Sequence, residues 1–277
     1  MFLPGGDWGK ILCLGEHNLA TKVLYDVRDK VAYITINRPE VMNAMDMETF
    51  QLLSEAWCDI RDNPDIWVAV ITGAGSKAFT AGIDLKSTIP RQPEKYEFWL
   101  TQKGQLLNRG LEVWKPVIAA VNGYCLAGGM TLLLATDIRV ASEDAVFEIS
   151  EVKRGLIPAN GGTQRILRQL PYPIAMEMIL LGRRISAKEA LGYGLINNVV
   201  PKEALMDAAE KYARDLCKCA PLAVRAAKEL AIRSQDLPLE QGFRLEQAIS
   251  EILRHTEDAK EGPAAFAEKR QPEYKGR

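Results

Sequence analysis

Hydrophobic and polar positions along this chain follow two periods, and together they predict an α/β body followed by helices. Lys30-Val-Ala-Tyr-Ile-Thr-Ile-Asn37 is rich in β-branched residues and predicts a strand, closed by the turn Asn37-Arg-Pro-Glu40. Asp46 is placed to cap a helix in which Phe50, Leu53, Trp57 and Ile60 recur at helical spacing, and Asn63-Pro-Asp65 ends it. Ile66-Trp-Val-Ala-Val-Ile-Thr72 is a nearly unbroken apolar run, as in a strand covered on both faces. A polar stretch over 87–104 reads as a loop leading into a helix. Trp114–Val121 predicts another buried strand, ended by Asn122-Gly123. A helix is expected from Gly128-Gly129 through Leu134, with short strands at Asp137–Val140 and Ala145–Phe147. Alternation of this kind argues for α/β.

From about residue 172 the pattern turns helical. Ser186-Ala-Lys-Glu189 is a capping-box signal, and Gly192 and Gly194 are candidate stops for its helix. Asn197–Val200 is a last short strand. Pro201, Pro221 and Pro238 each stand where a helix can begin, because proline is tolerated in a first turn. The expected organisation is an extension over 1–19, an α/β core over 20–200 and a helical region over 201–277.

Composition narrows the chemistry. The 277 residues are 47% apolar and 26% charged, enough for a large core without disulfide staples. A net charge of -1 gives no reason to expect nucleic acid or an anionic membrane as partner. Five cysteines at irregular spacing read as reduced thiols in a cytoplasmic compartment. Cys217-Lys-Cys219 lies in a helical pattern without the further ligands a structural zinc wants. His17 and His255 are the only histidines, which leaves little for imidazole catalysis. No apolar run approaches the ~20 residues of a membrane span, and Met1–Asp7 lacks the basic and apolar regions of a signal peptide.

Several catalytic motifs are missing. Gly73-Ala-Gly75 follows a strand without the third glycine of a dinucleotide fingerprint, and Gly75-Ser-Lys77 lacks the rest of a phosphate loop. There is no G-x-S-x-G elbow and no H-E-x-x-H. Two glycine-bearing segments remain, each just beyond a buried strand: Phe79-Thr-Ala-Gly-Ile-Asp84 and Gly123-Tyr-Cys-Leu-Ala-Gly-Gly-Met130. Glycine permits a backbone that aims N–H groups into a cleft, and a helix start adds unpaired donors. Two such donors facing one point would stabilise an oxyanion. The same glycines would equally serve tight strand-to-helix turns.

Ala81-Gly-Ile-Asp-Leu-Lys86 and Asn122-Gly-Tyr-Cys-Leu-Ala-Gly-Gly129 resemble the paired oxyanion elements of the enoyl-CoA hydratase/isomerase (crotonase) family. Four further segments are similar to signatures of that family, in the same order. They are Asn37-Arg-Pro with Asn43-Ala44, Glu151–Pro158 with Gly161-Gly-Thr-Gln-Arg165, Arg183–Ala190, and the tail Glu261–Arg270. That tail, with Tyr274-Lys-Gly-Arg277, looks most like dehydratase members. The resemblance spans about residues 22–277. It implies a spiral of β-β-α units and a C-terminal helical trimerisation region, assembled as a trimer or hexamer.

The resemblance also implies roles. The backbone N–H groups of Ile83 and Gly128 would hold the thioester oxygen of an acyl-CoA. Ala81, Asp84, Leu85 and Lys86 would lie along the CoA moiety, with Lys86 near a phosphate. Phe266 and Lys269 match tail positions that reach CoA, sometimes across a subunit boundary. No metal or resident redox cofactor is expected, since CoA arrives with the substrate. Glu151 matches one of two glutamates that position water in family hydratases. Thr131 occupies the position of the other, and a threonine hydroxyl is no general base near neutral pH. Glu148, or Glu94, Tyr96 and Glu97 in the variable segment, are candidate replacements.

Three readings follow. The first is a hydratase or dehydratase of 2-enoyl-CoA and 3-hydroxyacyl-CoA thioesters. The second is a Δ3,Δ2-enoyl-CoA isomerase using Glu151 as its single acid/base. The third is a catalytically weak CoA-ester or RNA-binding relative, whose RNA form the near-neutral charge disfavours. Thioester hydrolysis and C–C cleavage also occur in the family.

Overall fold

The computed structural model describes residues 21–88 and 105–277; the expected extension and Glu94, Tyr96 and Glu97 lie outside them. Among the described residues ten strands form two sheets. The larger contains β1 (Val23–Arg28), β2 (Val31–Ile36), β3 (Val68–Gly73), β5 (Val117–Val121), β7 (Ile138–Ser142) and β10 (Asn198–Val200), side by side in that order. The smaller contains β4 (Ala78–Thr80), β6 (Tyr124–Leu126), β8 (Val146–Glu148) and β9 (Arg184–Ser186), also in order.

The pairs β1–β2 and β8–β9 are antiparallel, and all the others are parallel. The chain therefore alternates between the sheets. It runs from β3 to β4, β5 to β6 and β7 to β8, adding one strand to each sheet per turn. This is the β-β-α spiral that the resemblance implied. Four strands go beyond the sequence-based expectation: β1, an edge strand only half covered, whose exposed residues blur the apolar alternation, and β4, β6 and β9, each too short to show a period.

The helices are α1 (Met47–Asp62), α2 (Leu85–Thr88), α3 (Gly128–Leu133), α4 (Gly162–Gln169), α5 (Tyr172–Leu181), α6 (Ala187–Gly192), α7 (Leu205–Cys217), α8 (Pro221–Arg233), α9 (Leu239–Arg254) and α10 (Glu257–Glu268). Asp46 caps α1 as expected, accepting the Thr49 N–H at 2.9 Å. The Ser186–Glu189 capping box starts α6. Gly192 is the last residue of that helix, and Gly194, at φ +78°, takes the left-handed bend beyond it. Pro221 opens α8 and Pro238 precedes α9.

The core has two layers. Between the sheets and α1 lie Ile34, Ile36, Trp57, Ile71, Phe79, Val121 and Phe147, all essentially inaccessible. The opposite face of the large sheet presents Val68, Val70, Ile118 and Val140, covered by Leu205, Ala209 and Ala213 of α7. Both faces of β3 and β5 are buried, which explains their unbroken apolar runs. Helix α7 lies beyond residue 200 yet closes the sheet. In α8 and α9, by contrast, Pro221 is the one buried residue. Among the described residues no helix is long and apolar enough to cross a membrane.

The Asn37-Arg-Pro…Asn43-Ala segment is a buried brace. Asn43 is fully buried and its Nδ2 donates to the carbonyls of Ala74 (2.9 Å) and Ala78 (2.7 Å), while its Oδ1 accepts the Arg38 N–H. Arg38 bridges Asp84 and Asp46, and Lys22 also reaches Asp46. Burial alone would raise the Asp46 carboxyl. The bond from Lys22, the two from Thr49 and the Arg38 charge instead hold it down to about 2. Asn43→Ala removes three hydrogen bonds and strands their partners, so a loss of about 3 kcal/mol is expected. Urea denaturation should show a lower midpoint with an unchanged slope, and an unmoved midpoint would refute the brace.

Candidate active site

The two glycine segments meet at one point. Met45 and Ile83 form a parallel bridge: the Met45 N–H donates to the Gly82 carbonyl at 2.7 Å and the Asp84 N–H to the Met45 carbonyl at 2.9 Å. In a parallel bridge the intervening N–H points the other way, so the Ile83 N–H faces away from Met45. The Gly82 N–H donates to Thr80 Oγ1, whose hydroxyl donates to the Asn43 carbonyl at 2.7 Å. The brace therefore fixes the loop from beneath.

On the facing segment, Ala127 holds φ 48° and ψ -116°, a strained backbone for a residue with a Cβ. This turn directs the chain into α3 at Gly128, whose N–H has no carbonyl behind it. A Cβ on Gly82, at φ +92°, would stand 2.7 Å from the Gly128 nitrogen. One on Gly128 would stand 3.3 Å from the Ile83 nitrogen, and one on Gly129 2.6 Å from the Thr80 carbonyl oxygen. The segments touch only because these side chains are absent. Among the described residues neither the Ile83 nor the Gly128 N–H donates to another group, so two free donors lie side by side.

They border a narrow cleft walled by Met45, Phe50, Leu53, Trp57, Leu106 and Leu132. Its polar members are Asn108, Arg109, Thr131 and Asn160. Thr131 is buried, and its hydroxyl donates to the Gly128 carbonyl and accepts from Asn108 Nδ2, both at 2.9 Å. One lone pair is left over. The Asn108 Oδ1 is buried without a partner. Arg165 of the Gly161-Gly-Thr-Gln-Arg element donates to the backbone carbonyls of Asn108 and Asn160, each at 3.1 Å, and so fixes this wall. The spacing of motifs gave no sign of Asn108, Arg109 or Asn160; they reach the cleft through contacts distant in sequence.

Glu151 opens the single turn Glu151–Arg154 just after β8. Glu148 at the end of β8 pairs in register with Leu126 of β6, and its carbonyl accepts the Ala127 N–H. The ladder thus brings Glu151 to the same end as Gly128. Its Oε2 is buried without a hydrogen bond. Burial pushes the carboxyl up, and a contact with its own backbone N–H and the charge of Arg154 only partly offset this.

Glu148 does not stand in for a second glutamate. Its oxygens are taken by Lys153 (2.9 Å) and Arg184 (2.5 Å), which hold it below the usual carboxylate range although burial alone would raise it. Ala81 and Leu85 flank the bridge half-buried, and Lys86 is exposed. The Asp84 carboxylate is engaged by Arg38 and by the Lys86 N–H. Phe266 and Lys269, near the end of α10, do not line the cleft, and Phe266 is 87% exposed rather than part of the core.

Crossed β-β-α turns with two convergent N–H donors over an apolar cleft define a protein that handles a polarised carbonyl, as in a thioester. Comparison with known proteins specifies which kind. The family model described as enoyl-CoA hydratase/isomerase matches residues 26–277. The chain is 44% identical over 254 residues to the (E)-benzylidenesuccinyl-CoA hydratase of Thauera aromatica, covering 92% of this chain and 99% of that one. It is 43% identical over 250 residues to the carnitinyl-CoA dehydratase of Salmonella agona, covering 88% and 94%. Its fold matches the crystal structure of an enoyl-CoA hydratase from Mycobacterium marinum with a TM-score of 0.86 and 38% identity, over 93% of this chain and all of that one. The chain belongs to the enoyl-CoA hydratase/isomerase family.

Gly82→Ala tests the convergence. Its Cβ would strike the Gly128 nitrogen from a backbone that disfavours any side chain. The variant should fold with an unchanged circular dichroism spectrum and lose roughly 100-fold or more in kcat. Full activity would mean that the two donors are not used together.

Proposed function

We propose that this protein is an acyl-CoA hydratase/dehydratase in which Glu151 acts as the one acid/base. The observation that carries the reading is the pair of free N–H groups at Ile83 and Gly128, joined by a desolvated carboxylate with an unpaired oxygen on the turn after the neighbouring strand β8. In the hydration direction, Glu151 takes a proton from water as the water oxygen bonds to Cβ of the 2-enoyl thioester. The displaced electron pair moves onto the thioester oxygen, where Ile83 and Gly128 stabilise the enolate. Glu151 then returns the proton to Cα. The net change is addition of H and OH across the double bond, and dehydration is the reverse.

One carboxylate suffices if something neutral holds the water. Asn108 Oδ1 and the remaining lone pair of Thr131 are acceptors suited to that role. Asn108 therefore takes over part of the task of the second glutamate. Ala81, Leu85 and Lys86 form the rim along which the CoA would lie, with Asp84 bracing it through Arg38. The exposed apolar residues Leu239, Phe243 and Ile252 on α9 and Phe266 on α10 support a trimer or hexamer built through the C-terminal helices. Phe266 and Lys269 would then meet CoA bound to a neighbouring copy.

Glu151→Gln should lose roughly 10²- to 10⁴-fold in hydration of 2-enoyl-CoA thioesters, followed by mass spectrometry of the product. A variant as active as the parent sinks the acid/base assignment. A shifted double bond without a hydroxyl product would favour the isomerase reading. The hydrating form of Glu151 is the carboxylate, so kcat/KM should fall as pH drops through its pKa. Burial places that limb above the ordinary value of 4.5. An acid limb at or below 4.5 would contradict the desolvated carboxylate. Light scattering should give the mass of three or six chains, and a monomer would remove the proposed role of Phe266 and Lys269.

A further inference from the structure

The cleft contains a charge that nothing in the mechanism uses. Arg109 follows Asn108 at the end of the turn Leu107–Arg109 and lines the same cavity. Its guanidinium stacks on the Phe50 ring at 4.8 Å. Its Nε is buried without a hydrogen bond, and among the described residues no carboxylate lies within ion-pair distance. Burial lowers its proton affinity, with no negative charge to compensate. A second unpaired donor, the Trp57 Nε1–H, belongs to the same wall.

An unpaired cation in an apolar wall is unfavourable for the empty protein. The Phe50 ring offsets little of that. Two other arginines of the described residues are satisfied: the buried Arg139 donates to Leu195, Thr136 and Gln169, and the half-buried Arg165 to Asn108 and Asn160. Arg109 has no such structural use. It lines one cavity with the buried residues Phe50, Trp57 and Leu106 and with Ile83 and Gly128, so a thioester held by those two donors would have its acyl group in the same cavity.

We infer that Arg109 forms a subsite for a carboxylate carried on the acyl group, which makes dicarboxylic acid monothioesters of CoA the preferred substrates. The inference rests on the thioester reading for the orientation of the ligand. The carboxylate would accept from the Arg109 guanidinium, with the Trp57 N–H as a second donor, while Phe50 and Leu53 contact the apolar part of the acyl chain. A quaternary ammonium at that position would meet a like charge and be disfavoured.

Binding measured without turnover separates this inference from the reaction. By calorimetry, glutaryl-CoA should bind at least about 30-fold more tightly than its terminal amide or butyryl-CoA, the low end for a buried charge pair. Succinyl-CoA against its amide covers a shorter reach. Arg109→Leu should abolish the preference, leave the affinity for free CoA unchanged and keep or raise Tm, because an unpaired, half-buried charge has been removed. Arg109→Lys should retain part of it.

Equal affinities for acid and amide at both chain lengths, or a preference that survives Arg109→Leu, would overturn the subsite. A parallel loss of free-CoA affinity would overturn it as well, by assigning Arg109 to the CoA phosphates. Hydration of uncharged enoyl thioesters with no preference for the acid means this inference alone has failed. Retained preference without hydration means the reaction has been misread.

Discussion

Everything at this site depends on the close approach of two backbone segments that have no side chain between them. The Gly82 loop and the start of α3 lie so near that a single Cβ would press on the opposite nitrogen at 2.7 Å. Such an approach cannot be achieved locally. Strands β4 and β6 are adjacent parallel partners in the small sheet, and each segment leaves the sheet at the same end. The spiral repeats this geometry at β8, which is how Glu151 arrives there too. The architecture matters chemically because it stacks successive chain exits beside one another.

Two supports keep that approach from relaxing. From beneath, the buried Asn43 ties the β3–β4 connection to the Arg38 segment, and Thr80 links Asn43 to the Gly82 N–H. From the side, Arg165 fastens the Asn108 and Asn160 backbones, and Gly162 leaves room for the Thr131 methyl, which a Cβ there would approach to 3.0 Å. The motifs flanking the oxyanion segments therefore serve rigidity. Donors aimed in advance stabilise a developing charge without reorganising, which is where most of their effect arises.

The large sheet beyond β1 was legible in the sequence because its buried strands carry dense apolar runs, whereas β4, β6 and β9 of the small sheet, three residues each, are too short to show a period. What escaped was set by contacts remote in sequence. Strand β1 hid behind an exposed edge. Helix α7 read as part of the C-terminal region because its small apolar face, Leu205, Ala209 and Ala213, gives no hint that it meets Val70 and Ile118. Glu148 looked available until Lys153 and Arg184 were found on its oxygens. Asn108 and Arg109 belong to no motif, and only their placement opposite Thr131 and Phe50 reveals them.

A threonine in place of a carboxylate also changes the electrostatics of the whole cleft. Two carboxylates sharing one pocket repel, so one of them is driven to hold a proton. With Thr131 neutral and Glu148 neutralised by its two cations, Glu151 has little such repulsion to meet, and burial remains the main cause of its raised pKa. Glu151, on the turn after β8, and Arg109, in the cleft wall without an ion pair among the described residues, do not pair with each other. That separation leaves the Glu151 carboxylate unquenched by an ion pair. It also leaves the cation free for an anionic acyl substituent. A second glutamate at position 131 would have introduced a negative charge on the wall that Arg109 shares, and favoured an internal pair over one with the ligand. A neutral residue at 131 and an unpaired arginine at 109 are in this sense two sides of one arrangement.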